Sequence, residues 1–292
     1  MKSRAIFLAA ALAVVALAAG CNRDDGEPAF AAPEFLANRT RIPLGSPVEV
    51  TYKFTVQPAA QQLSGDYRVF VHFLDDNEEL MWTDDHQPPE PVKAWRPGQQ
   101  VQYSRTIFVP VYPYIGEASV HMGLYDASGN RVKLAGNDRG SRAYEVARVE
   151  LLPQSENVFL IYRDGWHQPE VSGDNAAIEW QWTKKEASLQ FRNPKRDIVF
   201  YLHVGEQRGL PGPAQVVDVY AGAQKVDSFP VDASRDIIRK IPVAATLLGT
   251  AETAEIRLAV DRTFVPALLP AAASTDSREL GIRVFHAFVE VR

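Results

Sequence analysis

Residues 48–56 have the sequence Val-Glu-Val-Thr-Tyr-Lys-Phe-Thr-Val, in which every second residue is apolar. Successive side chains of a β-strand point to opposite faces of a sheet, so this alternation predicts a strand with one buried face. The predicted buried side chains are Val48, Val50, Tyr52, Phe54 and Val56. The intervening polar side chains would face water, which is the pattern of an antiparallel sheet.

Similar short runs, separated by Pro, Gly, Asp and Asn, occupy both halves of the chain. In the first half they are residues 67–74, 101–109, 118–125 and 144–151. In the second half they are residues 158–162, 178–182, 187–191, 198–204, 216–220, 225–229, 237–243, 254–260 and 281–291. A helical period is visible only briefly, at 243–250. The sequence therefore predicts an all-β protein of two tandem antiparallel β-sandwich domains, at residues 33–152 and 153–292.

Composition limits the classes of function. The 292 residues are 46% hydrophobic and 23% charged, enough for two domains with ordinary cores. The net charge of -5 and the pI near 5.7 give no basic surface for DNA or RNA, so nucleic acid is excluded as a primary partner. The single cysteine, Cys21, excludes an intramolecular disulfide, a thiolate metal cluster and a cysteine nucleophile within the folded part.

The N-terminus has the features of an export signal. A basic start, residues 1–4, precedes an unbroken apolar run at residues 5–19. That run has the length of a signal peptide, whereas a spanning helix needs about 20 residues. A plain secretory signal with an incidental cysteine, or an uncleaved membrane anchor, is the alternative interpretation.

The end of this run, Leu-Ala-Ala-Gly-Cys at residues 17–21, resembles the lipobox of bacterial lipoproteins. Ala18 stands where that family prefers leucine. The resemblance implies cleavage after Gly20, acylation of Cys21 with a diacylglyceryl group and an N-acyl chain such as palmitate, and a lasting membrane anchor. Because Asn22 follows the cysteine, the resemblance favours attachment to the outer membrane, facing the periplasm, in a Gram-negative host. Residues 1–20 are then the signal peptide and residues 21–32 a lipidated tether.

Each half of the mature chain also resembles a known kind of domain. Residues 69–75 (Val-Phe-Val-His-Phe-Leu-Asp), 88–89, 95–99 (Trp-Arg-Pro-Gly-Gln), 123–126 and 129–132 resemble immunoglobulin-like sandwiches of extracytoplasmic bacterial proteins, some attached to membrane glycosyltransferases. Residues 165–170 (Gly-Trp-His-Gln-Pro-Glu), 180–182 (Trp-Gln-Trp) and 276–281 resemble jelly-roll domains of envelope-polysaccharide enzymes, which are similar in plan to carbohydrate-binding modules. The resemblance implies work in the cell envelope, near polysaccharide.

A group of tryptophans and polar residues in the second half is the main candidate binding site. Aromatic faces can stack on sugar rings while polar side chains hold the hydroxyls. The candidate residues are Trp166, His167, Glu170, Trp180, Trp182 and Arg278. The alternative is that Trp180 and Trp182, two residues apart and on one strand face, belong to the core with Ile178, while Glu179 and Gln181 face water. Trp166, on a loop, is then the better ligand contact.

Metal-binding and catalytic motifs are weaker. The side chains of His72, His86, His121, Asp84 and Asp85 suit a metal, but their spacing matches no known metal motif, and structural histidines explain them better. Residues 75–79 are a solvated turn, because the glycine of a calcium-binding EF-hand loop is missing. The loop 84–89 lies close in sequence to Trp95 and could form a small groove.

No residue pattern predicts catalysis. A nucleophile elbow, a Ser-x-x-Lys motif and a phosphate-binding glycine loop are all missing, although a distant pair of carboxylates remains open. The sequence therefore predicts a non-enzymatic, membrane-anchored extracytoplasmic lipoprotein that needs no cofactor or metal and binds polysaccharide or an envelope protein. The alternatives are an assembly subunit of an envelope or secretion complex without glycan binding, and a glycan-acting hydrolase.

Overall fold

The computed structural model describes residues 26–154, 158–173, 178–205, 210–231, 235–269 and 274–292. The predicted signal peptide, Cys21 and residues 22–25 of the tether lie outside the described residues. Almost all regular structure is strand, which confirms the all-β class. Within the described ranges, no helix is long and apolar enough to cross a membrane.

The first domain is a sandwich of two sheets. Its strands are β1 (Ala31–Ala37), β2 (Arg41–Pro43), β3 (Pro47–Val56), β4 (Tyr67–Leu74), β5 (Leu80–Thr83), β6 (Gln100–Phe108), β7 (Gly116–Asp126), β8 (Asn137–Asp138) and β9 (Tyr144–Leu152), with a 3-10 turn at Val92–Ala94. One sheet has the order β1-β3-β6 and the other β2-β9-β7-β4-β5, with β8 paired to β9. All pairs are antiparallel except β2 with β9, which is parallel. This order matches an immunoglobulin-type sandwich.

The alternation in β3 is confirmed. The five predicted apolar side chains are at most 2% exposed, and the polar ones between them are partly exposed. Tyr52 lies fully buried beside Phe54, and its hydroxyl donates a hydrogen bond of 2.6 Å to Asp84 Oδ2. A phenol buried this way satisfies its polar atom, so the core tolerates it.

The first domain begins earlier than the predicted boundary at residue 33. Strand β1 starts at Ala31, and Phe30 and Ala31 are buried in the core. The last residues assigned to the tether therefore belong to the sandwich. The sequence offered little sign of β1, because Pro33 interrupts it and one of its three buried residues is the small Ala31.

The second domain is also a two-sheet sandwich. Its strands are β10 (Leu160–Tyr162), β11 (Glu170–Val171), β12 (Glu179–Trp182), β13 (Glu186–Arg192), β14 (Ile198–Gly205), β15 (Val216–Ala221), β16 (Gln224–Pro230), β17 (Ile237–Val243), β18 (Thr253–Val260) and β19 (Arg283–Val291). Helix α1 (Ala245–Leu248) falls in the predicted helical stretch, and a 3-10 turn covers Pro266–Leu268. The sheets run β10-β13-β18-β15-β16 and β11-β12-β19-β14-β17. The eight strands β12 to β19 follow jelly-roll order.

The two sandwiches touch through the outer face of β14, β17 and β19. Lys240 Nζ lies 2.6 Å from Glu49 Oε1, and Arg39 Nη1 lies 3.7 Å from Glu290 Oε1. The ring of Phe108, at the end of β6, stacks on His286 at 4.9 Å. These few contacts leave open space beside them, which forms the groove described below.

Candidate functional site

The tryptophans of β12 point away from the core between the sheets. Trp182 lies opposite Arg283 in β19, and Gln181 lies opposite Val284. Opposed residues of paired strands project to the same face. Because Val284 is buried in the inter-sheet core, Gln181 faces that core and Trp180 and Trp182 lie on the outer face of the sheet. The sequence correctly placed the two tryptophans on one face. The alternative was right that Trp182 is buried among apolar residues, but it was wrong to place Gln181 in water.

A separate small apolar cluster covers this outer face. Trp182 is 4% exposed and packs edge-on against Phe264 at 5.6 Å, with Leu280 beside it. Trp180 packs on the same cluster, and its indole nitrogen is buried without a hydrogen-bond partner among the described residues. The buried ring of Trp182 therefore offers no open face on which a sugar could stack, and the ring of Trp180 is partly covered.

The predicted polar contacts of this site are already bound to one another. Arg278 Nη2 lies 2.7 Å from Asp276 Oδ2 and 2.7 Å from Glu170 Oε1. The Trp182 indole N–H donates to Glu170 Oε2 at 3.3 Å. The Arg278 guanidinium lowers the pKa of Asp276 to about 2, so this pair stays charged over the physiological range. We call Glu170, Trp180, Trp182, Arg278 and Asp276 the tryptophan cluster.

Trp166 and His167 lie near the cluster but have their own structural partners. Trp166 packs against the inter-sheet core, meets Tyr162 edge-on at 4.6 Å and donates its indole N–H to the carbonyl of Ser188 at 2.8 Å. His167 donates through Nε2 to the carbonyl of Glu279 at 2.9 Å. Ligand contact by these side chains stays a prediction.

Two glycines allow this close packing. Gly165 has φ of 83°, and a Cβ there would lie 1.9 Å from the carbonyl oxygen of Glu186. A Cβ on Gly281 would lie 2.3 Å from Thr183 Oγ1. Only glycine lets these backbones approach, so the loops around the cluster are built for packing.

A more open site lies where the two sandwiches meet. It is a groove of about 450 Å³, and we call it the interdomain groove. The first domain lines it with Trp82, Thr83, Asp84, Arg105, Thr106, Ile107 and Phe108, and the second with His203, Arg235, Asp236, Ile237, Ile238 and His286. Ligand sites favour concave domain interfaces with aromatic walls and a few fixed polar groups.

One wall of the groove carries a fixed Asp84–Arg105 pair. Arg105 binds Asp84 through two nitrogens, at 2.8 and 3.1 Å, and Tyr52 donates to the same carboxylate. Behind it, His86 Nδ1 lies 2.6 Å from the carbonyl of Asp84, so this nitrogen carries the proton and Nε2 accepts from the Tyr103 hydroxyl. The carboxylate is held by three donors and cannot rotate freely.

Burial sets the protonation of this network. It lowers the pKa of His86 and raises the pKa of Tyr103, which keeps the imidazole neutral and the phenol protonated at neutral pH. Burial, and then the charge of Asp84, raises the pKa of Tyr52 as well. Tyr52 therefore remains a donor to the carboxylate.

The opposite wall carries a pair of imidazoles. His203 and His286 are opposed residues of β14 and β19, with their Nδ1 atoms 3.3 Å apart and their rings stacked within 7° of parallel. Burial and the neighbouring His286 lower the pKa of His203 to about 3, and burial lowers the pKa of His286. Both rings are neutral at neutral pH, and the ring of Phe108 from the first domain stacks on them, with its centroid 4.9 Å from that of His286 and 6.3 Å from that of His203.

Sequence reasoning missed this groove, except for the polar loop at 84–89. Trp95, the expected neighbour of that loop, is fully buried. The candidate metal ligands His72 and His121 are opposed residues of the paired strands β4 and β7. Among the described residues, no group of three or more His, Cys, Asp or Glu side chains is placed to hold a metal ion.

The fold and the groove define a tandem β-sandwich protein. No protein-family model and no curated protein matches the chain. Solved structures do match. The CBM22-1–CBM22-2 tandem of Paenibacillus barcinonensis Xyn10C has a TM-score of 0.28 and 9% identity, covering 88% of this chain and 82% of that one.

Two further matches are similarly distant. A carbohydrate-binding module of the β-sandwich superfamily has a TM-score of 0.19 and 12% identity, covering 90% of this chain and 96% of that one. The collagen adhesin of S. aureus has a TM-score of 0.19 and 7% identity, covering 90% and 97%.

Proposed function

We propose that this chain is a lipid-anchored, non-enzymatic protein of the cell envelope that binds a polysaccharide in the interdomain groove. The observation that carries the proposal is the pairing, in one concave site, of a stack of aromatic rings with a fixed Asp84–Arg105 pair. The second sandwich supplies His203 and His286, and the first supplies Phe108. Neither domain forms the site alone.

The chemistry of the groove suits a sugar chain. Sugar rings offer apolar faces, which pack on aromatic rings, and hydroxyls, which both donate and accept hydrogen bonds. The charged lining residues are Asp84, Asp236, Arg105 and Arg235, so acids and bases balance. This balance favours a neutral glycan over a strongly anionic one.

The engagement of Asp84 supports binding rather than catalysis. A general acid or base needs a carboxyl that can exchange its proton with a substrate near neutral pH. Both Asp84 oxygens already accept hydrogen bonds, from Tyr52 and Arg105. A carboxylate held this way is a fixed acceptor. Turnover of a glycan or ester panel by highly purified protein would instead establish the hydrolase.

The proposed anchor at Cys21 would hold the groove near a membrane. The first buried residue described is Phe30. Nine residues of extended chain reach at most about 30 Å. Mass spectrometry of the mature protein should find Cys21 acylated and nothing upstream of it, and Cys21→Ala should release the protein or stall its processing. An unmodified Cys21 in envelope-exported protein would contradict the anchor.

An assembly role is the second candidate, and one feature favours it. Strand β10 lies at a sheet edge, where Phe159 is 67% and Ile161 is 42% exposed. The backbone N–H and C=O groups of an edge strand can pair with a strand of another protein, and exposed apolar side chains can pack against that strand. Co-purification of one stoichiometric envelope protein, lost in Ile161→Lys, would support this role.

Glycan binding is tested by affinity electrophoresis and polysaccharide pull-down, first with wild type. Phe108→Ala should lower the affinity at least about tenfold, because it removes the ring between the domains. Trp166→Ala tests the site predicted from sequence, and Phe159→Ala, on the other sheet, is the exposed aromatic control. Absence of wild-type binding, or binding that survives Phe108→Ala, would contradict the proposal.

A further inference from the structure

A second concave site lies at the open edge of the second sandwich. Strands β16 and β17 are the last strands of the two sheets, and their edges face each other. Between them lies a cleft of about 750 Å³, which we call the edge cleft. It is lined by Asp197, Ile198, Val199, Gln224, Lys225, Val226, Lys240, Pro242, Val243, Ala244, Leu247 and Arg292.

The floor of the edge cleft is formed by apolar residues that belong to the inter-sheet core or pack against it. Ile198 and Val243 are each 1% exposed and belong to the inter-sheet core, while Val226 and Leu247 pack against it from the side. The hairpin between β15 and β16 closes one end, since a Cβ on Gly222 would lie 3.4 Å from the Leu247 carbonyl oxygen. An apolar cleft with one closed end suits a chain-like apolar ligand.

The rim of the edge cleft is basic. Lys225, Lys240 and Arg292 line it, against the single acid Asp197. One oxygen of that carboxylate, Asp197 Oδ1, accepts a hydrogen bond from the backbone N–H of Ala245 at 2.8 Å. The lining therefore presents an excess of positive charge beside an apolar floor, which is complementary to an amphiphile with an anionic head.

The three cations can turn toward a ligand at low cost. Their ion-pair partners are Asp218 for Lys225, at 2.6 Å, Glu49 for Lys240, at 2.6 Å, and Glu290 for Arg292, at 3.2 Å. None of these acids lines the cleft. The cationic side chains are 47%, 37% and 52% exposed, and exposed pairs of this kind hold their partners weakly.

We propose that the edge cleft binds a fatty acid, with the acyl chain on the Val226–Leu247 floor and the carboxylate at Lys225 and Arg292. This site is separate from the interdomain groove and does not depend on glycan binding. A carboxylate matches the rim charge, and an acyl chain matches the floor. Without the basic rim, the apolar floor would bind an uncharged chain of equal length as well as it binds a fatty acid.

The test is displacement of fluorescent dansyl-undecanoic acid from the full chain carrying Cys21→Ala, which blocks acylation. Laurate should displace the probe at a concentration at least about tenfold below that of dodecanol, because only laurate carries the head-group charge. Ala244→Trp, at an exposed position on the cleft, should abolish probe binding without burying a polar group.

Charge recognition is tested by the double variant Lys225→Gln/Arg292→Gln. It should weaken laurate at least about fivefold and leave dodecanol unchanged. The matched control, Lys53→Gln/Lys93→Gln, removes two cations from the first sandwich. It should leave displacement of the probe by laurate and by dodecanol unchanged. Equal displacement by laurate and dodecanol, probe binding that survives Ala244→Trp, or binding to anionic vesicles without binding of laurate would overturn the proposal.

Discussion

The tryptophan cluster and the interdomain groove use the same side-chain chemistry for different ends. In the cluster, Arg278 binds Asp276, and in the groove Arg105 binds Asp84, each through two nitrogens. The cluster buries Trp182 and partly covers Trp180, whereas in the groove Phe108 and the imidazoles line open space. Residue types alone therefore do not distinguish a binding site from a packing cluster. The distinction depends on whether other side chains cover the aromatic rings.

The largest expected effect separates the two regions by stability. Trp182→Ala removes a buried ring from the cluster and should lower the free energy of unfolding by about 3–5 kcal/mol. Phe108→Ala, at a partly exposed position, should cost much less. Urea denaturation followed by circular dichroism measures both. A stability loss for Phe108→Ala as large as that for Trp182→Ala would break the distinction.

The matched arginines give a sharper comparison by affinity. Arg105→Gln should weaken polysaccharide binding about tenfold, because it removes donors that hold Asp84 at the groove wall. Arg278→Gln removes the same contacts in the cluster and should leave the affinity unchanged. Titration calorimetry with the polysaccharide that binds wild type measures both. An affinity loss in Arg278→Gln alone would show that the polysaccharide binds at the tryptophan cluster and not in the groove.

The imidazole pair predicts a pH dependence of stability. Folding lowers the pKa of His203 to about 3 and also lowers that of His286, while the unfolded value is about 6.5. The unfolded chain therefore takes up protons first as the pH falls, and stability decreases below about pH 6.5. The loss should be roughly 1 kcal/mol between about pH 7.5 and about pH 5, allowing for water in the groove.

Thermal unfolding at the two pH values measures this loss. His203→Gln should reduce the difference between them, because one of the depressed groups is gone. The lowered pKa values of His72, His86 and His121 act in the same direction in the first sandwich, so a residual slope is expected. An unchanged slope in His203→Gln would contradict the assignment to this pair.

The smallest expected effect is the stability cost of the two arginine variants. Arg105 is 40% and Arg278 is 39% exposed, so each ion pair contributes at most about 1 kcal/mol. The two unfolding free energies should therefore agree within about 0.5 kcal/mol. A loss of several kcal/mol in Arg278→Gln alone would show that Glu170 depends on its charge partner for burial.

Alternation predicted most strands because burial on one face imposes a two-residue period, as β3 shows. It failed for β1, with its proline and small side chains, and for β5, whose Leu-Met-Trp-Thr sequence has no alternation. The rule also places Trp180 and Trp182 on one face without saying which. That choice follows from the register of β12 against β19, and a single sequence does not contain the register.

The groove was harder to predict than the fold. Its walls come from β5, β6, β14, β17 and β19, and its two aromatic partners Phe108 and His286 are far apart in the chain. The sequence presented Asp84 only as part of a polar loop and as a weak candidate metal ligand. Its role depends on Arg105, which strand β6 of the other sheet brings beside it. Contacts between domains leave no period in the sequence, so only the assembled structure shows them.

Hydrogen–deuterium exchange with and without bound polysaccharide tests most directly whether the interdomain groove, and not the tryptophan cluster, is the binding surface. We predict slower exchange on binding in β6, in the second half of β14 and in the middle of β19, which carry Arg105, His203 and His286. Exchange in β12, which carries Trp180 and Trp182, should not change. Protection of β12 with none in β6 would contradict the account.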